Sequence, residues 1–219
     1  VGGAAVTVVT LVRREMPKEV PLIPLDLLRA ASFRISVIAS VLCFCGVAAS
    51  LVALPFYLQH GLGLSAWMTG VYMTPWPLTV AIAAPLAGRL ADRVSTARLC
   101  VAGGVCLAIG LAALALWPLR AHSLPLVMLT MLCGLGFGFF QVPNNRNMLL
   151  SVPGERSGAA GGMQGTARLV GQTAGAIIMT QLFTLTSDAA APRIGLGIAA
   201  VLTLAAGLVS ALRVRTIAS

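Results

Sequence analysis

Charge is what this sequence has least of. Only 10% of its 219 residues are charged, against 58% hydrophobic, whereas a soluble domain carries about 25% charged residues. A water-soluble globule of this composition is excluded. Acidic residues are the scarcest: between Asp26 and Glu155 the only one is Asp92. No Asp or Glu lies inside a long apolar run, and His60 and His122 sit at the ends of such runs. An enzyme needs His, Asp, Glu or Cys converging at one depth. No such set occurs, so the sequence predicts neither catalysis nor a metal or cofactor site. Cys43, Cys45, Cys100, Cys106 and Cys133 form no CxxC pair and read as small packing residues within apolar runs. In a soluble protein the net charge of +9 would point to nucleic acid. Here the basic residues stand at the ends of apolar runs, where they orient a chain in a membrane, so a nucleic-acid partner is excluded.

What is present is length without charge. Six runs, at about 35–58, 66–88, 99–119, 123–147, 157–186 and 194–212, approach or exceed the roughly 20 residues that cross a bilayer. All are predicted to be helical, because lipid leaves no partner for an open sheet edge. The expected fold is an all-α integral membrane domain over 35–219, and the count of six permits a 3+3 inverted repeat. Residues 1–12 are apolar but too short for a span and read as the end of a truncated helix. Residues 13–34 read as a cytoplasmic linker containing either a short amphipathic piece on the membrane surface or an ordinary solvated connector. Counting Lys and Arg by side places twelve with the termini and two, Arg120 and Arg193, opposite. That asymmetry puts both ends in the cytoplasm.

The turn Gly88-Arg89-Leu90-Ala91-Asp92-Arg93, followed by Arg98, concentrates charge between the second and third runs. Gly88 permits close approach at a helix end. Asp92 can cap the next helix or pair with Arg93 or Arg98. Arg168 stands alone inside the fifth run, with Gln164 and Gln172 one turn to either side. This stripe reads either as a cavity wall or as an arginine snorkelling to the interface. Gly161/Gly165 and Gly171/Gly175 on that run, and Gly134/Gly138 on the one before, are small-xxx-small pairs that let helices pack closely. Asn144 and Asn145, with Gln141, Arg146 and Asn147, would line an inner cavity mouth or lie at the interface. In Thr74-Pro75-Trp76-Pro77 the prolines break a helix, leaving Trp76 to stack on an aromatic substrate or to pack at the kink.

The turn resembles the signature loop of the major facilitator superfamily, G-x-L-a-D-R-x-G-R-[KR]. Gly88, Leu90, Ala91, Asp92 and Arg93 match, Ser95 replaces the second glycine, Thr96 replaces a basic residue, and Arg98 partly restores the charge. Arg13-Arg14-Glu15, Gly61-Leu62-Gly63, the Gly134–Gly138 stretch with Pro143, and Arg168-Leu169-Val170-Gly171 with Gly175 narrow the resemblance to the carboxy-terminal half of 14-helix drug:proton antiporters. That resemblance implies a bacterial inner-membrane exporter of drugs or amphipathic compounds, coupled to protons and working by alternating access. Its partners would be the lipid bilayer, an amino-terminal domain and a small-molecule substrate. Gly88, Asp92, Arg93 and Arg98 would form a gating loop, and the coupling carboxylate would lie in the amino-terminal half. The competing readings are an exporter or importer of one metabolite and a self-standing six-helix structural subunit.

Overall fold

The computed structural model describes residues 25–117, 123–187 and 189–216. Every regular element among them is helical. They are α1 (Ala31–Phe56), α2 (Ala66–Met73), α3 (Pro75–Leu90), α4 (Thr96–Leu116), α5 (Ser123–Leu150), α6 (Ser157–Leu185) and α7 (Ala191–Thr216). Short 3-10 turns precede α1 (Leu25–Arg29) and α6 (Gly154–Arg156), and a π turn, Tyr57–Gly61, extends α1. Residues 1–12, expected to be a helix end, lie outside the described residues, as does the first part of the expected linker.

Four segments are long and apolar enough to cross a membrane: Ala31–Gly61, Thr96–Leu116, Leu124–Leu150 and Ala191–Arg213. The other two expected spans differ for distinct reasons. The second is split at Thr74 into α2 and α3, because Pro75 and Pro77 remove successive backbone donors. Thr74 keeps helical dihedrals (φ −57°, ψ −37°), so α3 continues from α2 as a broken rod. The fifth, α6, runs 29 residues, but its glycines, glutamines and Arg168 dilute its hydropathy.

The helices pack in a definite order. Helix α6 lies on α1, α1 on α7, α7 on α4, α4 on α5 and α5 on α3, with α1 also touching α5. Helices α3 and α6 are therefore the edges, each leaning chiefly on one neighbour. Lipid tails are as apolar as leucine, so helices associate in a membrane through close packing rather than hydrophobic transfer. Glycines allow it here. A Cβ on Gly171 would lie 2.6 Å from the Val41 carbonyl, and one on Gly138 would lie 2.8 Å from Ala83 Cβ. Gly175 abuts the Cys45 carbonyl on α1, and Gly134 abuts the Trp76 carbonyl. Gly161 and Gly165 have no neighbour within 4 Å of a notional Cβ and lie on the uncovered face of α6. All five cysteines are free, and Cys100 and Cys106 donate to the α5 carbonyls of Phe140 and Leu132 at 3.5 Å.

The helix ends are tied down by side chains. Ser95 accepts from the Arg98 N–H at 3.4 Å and caps α4. At the other end of α4, Arg193 donates to the carbonyls of Ala115 (2.9 Å) and Trp117 (3.1 Å), and Tyr57 donates to Trp117 at 2.8 Å. These bonds satisfy carbonyls that a helix end leaves unpaired. The described part of the linker is docked on the protein. Leu27 is buried with Phe33, Met148, Ala160 and Met163, and Asp26 pairs with Arg156 ahead of α6, one of the contacts being Nη2 to Oδ1 at 3.0 Å.

A leucine at Gly171 should lower the thermal midpoint of the detergent-purified protein, at a cost of about 1–3 kcal/mol from overpacking. Alanine at Gly161 should leave the midpoint unchanged. The hydrogen bond from Arg156 holds the Asp26 carboxyl below its usual range. A carboxylate whose pKa is lowered by docking stabilises the docked state above its free pKa and loses that contribution as pH falls through the lowered value. Amide exchange at Leu27–Arg29 should therefore be unchanged between pH 7 and 5 in its protection factor, and accelerate only below the ordinary carboxylate range.

Candidate functional site

Residues four apart share a helix face, and Gln164, Arg168 and Gln172 do so on α6. Arg168 is exposed and the two glutamines are half-buried. Eleven residues from the start of α6, Arg168 stands about 17 Å along the helix. Its guanidinium carbon lies 5.5 Å from the centre of the Phe44 ring on α1, within cation–π range. Among the described residues it meets no carboxylate, and Asp92 and Asp26 pair with other arginines.

Phe44 leads from this cation to a groove. Its ring stands edge-on to Phe137 of α5, at 5.7 Å and 81°. Phe137 in turn lines a groove of about 470 Å³ with Val47, Met73, Thr74, Trp76 and Val80. That volume is in the range of small-molecule sites. The groove opens where α2 breaks into α3, so the prolines that interrupt the helix also shape the cavity wall. Trp76 is buried, with its backbone against Gly134, and lines the groove. The Thr74 hydroxyl is spent on the Gly70 carbonyl at 2.7 Å. No titratable side chain lines the groove, so recognition there rests on shape, stacking and sulfur–aromatic contact.

The charged turn lies at one end of α3. Asp92 neither caps α4 nor pairs with Arg93 or Arg98. Ser95 takes the cap, and Asp92 forms an ion pair with Arg146 at 2.6 Å. Arg146 also donates to the Gly88 carbonyl at 3.4 Å. Arg146 lies near the end of α5, which runs to Leu150 and packs on α3, and so meets the end of α3. Gly88 has room, its notional Cβ meeting only Val142 at 3.9 Å. Arg93 and Arg98 are exposed.

The asparagines divide. Asn144 is buried, and its amide donates to the Ser36 carbonyl (3.1 Å) and to Ser40 Oγ (2.8 Å) on α1. Asn147 donates to Ser32 Oγ and Ser36 Oγ at 3.0 and 2.9 Å. Arg213 of α7 joins them, 1% exposed, donating to Ser36 Oγ at 3.0 Å. Asn144 thus belongs to a polar seam joining α1, α5 and α7, away from the groove wall. Asn145 is half-buried, with its Oδ1 buried and unpaired. Arg213 is one of the twelve basic residues on the side of the termini, yet it is buried in the packing rather than anchored at the surface. The signal that could have placed it is the face it shares with Thr203 and Ser210, both buried.

Comparison with known proteins follows the same outline. The sequence profile of the Major Facilitator Superfamily matches residues 36–217. The chain is 43% identical over 203 residues to the uncharacterized transporter YebQ of Escherichia coli K12, covering 93% of this chain and 44% of that protein. It is 31% identical over 180 residues to the riboflavin transporter RibZ of Clostridioides difficile, covering 82% and 40%. It is 32% identical over 177 residues to the multidrug resistance protein Stp of Mycobacterium tuberculosis, covering 80% and 33%. The chain spans less than half the length of each.

The seam and the turn should separate on mutation. Asn144→Ala should cost about 1–3 kcal/mol of stability, the range for breaking buried hydrogen bonds. The coupling between Asp92 and Arg146, both partly exposed, should stay under about 1 kcal/mol in a double-mutant cycle read from thermal midpoints.

Proposed function

Because the chain belongs to the Major Facilitator Superfamily, a family of membrane transporters rather than enzymes, we propose that it forms the carboxy-terminal six-helix half of a 14-helix drug:proton antiporter. It would export amphipathic small molecules by rocking against an amino-terminal half around a shared central site. The observation that carries this reading is the uncovered polar face of α6, with Arg168 two ring contacts from the aromatic groove. An intramembrane cation that meets no carboxylate among the described residues is a functional-site hypothesis by default. The relatives' additional length supports a second half to cover that face.

The packing order supports a 3+3 inverted repeat. Exchanging α1, α3 and α4 for α5, α6 and α7 leaves the map of major helix contacts unchanged: α1–α6 becomes α5–α3, α1–α7 becomes α5–α4, and α4–α7 and α1–α5 map onto themselves. The twelve-to-two distribution of basic residues supports both ends lying in the cytoplasm of a bacterial cell, with the spans in the inner membrane. No carboxylate lines the groove, and this reading puts the proton-coupling acid in the amino-terminal half. A second reading, transport of one defined metabolite, is favoured by the likeness to a riboflavin transporter, since Trp76 and Phe137 in the groove wall offer aromatic surface to a flat ring system.

In the intact transporter, Arg168→Ala should reduce ethidium extrusion about tenfold at equal expression, the ratio that follows from losing about 1.4 kcal/mol at the rate-limiting step. Unchanged extrusion would remove Arg168 from the transport path.

A further inference from the structure

We propose that the outer face of the α3–α5 seam, at its basic end, binds an anionic phospholipid whose headgroup carries hydroxyls. A cavity of about 760 Å³ is walled there by Leu86, Arg89, Leu90, Asp92, Arg93 and Phe139. Phe139 also walls a second cleft, of about 210 Å³, between α4 and α5, together with Gly103, Cys106 and Leu135. Leu135 lies one turn from Phe139 toward the centre of the bundle, so the two hollows form an apolar track from the charged turn into the hydrocarbon zone. Its floor is shallow because Gly103 and Gly136 bring the α4 and α5 backbones together. The track does not belong to the transport groove. Two residues apart on a helix are about 200° apart, so Phe139 points away from Phe137, which lines that groove.

The charge at the mouth suits a phosphodiester. Arg89 and Arg93 are both exposed, and neither has an ion pair among the described residues. The one carboxylate in the cavity wall, Asp92, is held by Arg146 at 2.6 Å. Arg89, Arg93 and Arg146 against Asp92 leave two positive charges beside an apolar channel. Guanidinium groups pair with phosphate oxygens through two parallel hydrogen bonds, and a basic pocket between helix ends is a site for acidic headgroups. Asp92 remains 63% exposed and can accept from a headgroup hydroxyl. A choline headgroup would add a fourth cation beside the three arginines and offer Asp92 no hydrogen-bond donor.

The test uses the detergent-purified transporter, with lipid binding read by native mass spectrometry and by thermal midpoint. The probes are dioleoylphosphatidylglycerol, dioleoylphosphatidylcholine and inorganic phosphate. Two basic residues predict about a thirtyfold preference for the glycerol lipid over the choline lipid. That preference should fall with added salt, collapse toward unity in R89Q/R93Q and persist in R29Q, a control on the linker. Equal affinity for the two lipids would overturn the proposal. So would a preference that survives in R89Q/R93Q, or stabilisation by inorganic phosphate alone. If the double variant does not fold, R93Q alone must lower the ratio at least several-fold, and an unchanged ratio overturns the proposal equally.

Discussion

Close backbone contact is the constraint on which this bundle depends. Between lipid-facing helices there is little hydrophobic transfer to gain, so each interface must gain dispersion and hydrogen bonding at short range. Glycine supplies the range at nearly every major contact: Gly171 and Gly175 for α6 on α1, Gly46 for α1 on α7, Gly104 and Gly207 for α4 on α7, and Gly103 and Gly136 for α4 on α5. The polar seam of Ser36, Asn144, Asn147 and Arg213 then locks the register that the glycines leave free to slide. Close packing with few hydrogen bonds makes the interior firm, while the edge helices keep one open side.

That division places the chemistry. Helices α1 and α5 form the middle, α4 and α7 the back, and α3 and α6 the flanks. The groove lies where a flank helix breaks at Thr74, and the isolated cation lies on the other flank. Neither sits in the close-packed back, where Gly104 and Gly207 bring the α4 and α7 backbones together. The residues free to act are those that the packing pattern cannot cover from within this chain.

Much of this was legible in the residues, and the exceptions share one cause. Charge was read as a boundary marker, which located the helices but set their ends too tightly. Arg34 and Arg193 lie inside helices because each guanidinium turns back to a carbonyl, Arg34 to Leu28 and Arg193 to Ala115 and Trp117. The Arg168 stripe and the glycine pairs were visible because helical spacing alone puts them on one face. The burial of Asn144 and Arg213 was not, since their partner Ser36 lies 108 and 177 positions away. Local pattern carries no information about that distance. The docking of Leu27 beneath α5 and α6 was hidden for the same reason.

The separation between Ser36 and Arg213 also sets a clock. Helix α1 leaves the ribosome with Ser36 and Gly46 on a face that α7 must cover. At roughly 5–20 residues per second, the 177 positions between these partners amount to about 9–35 seconds of synthesis. Throughout that interval Ser36 and Ser40 stand in the membrane without the guanidinium that completes their seam. The domain cannot close progressively from its beginning. Helix α7 completes the seam, and a chain stalled before Arg213 would leave α1 open at Ser36, which is fully buried in the folded domain.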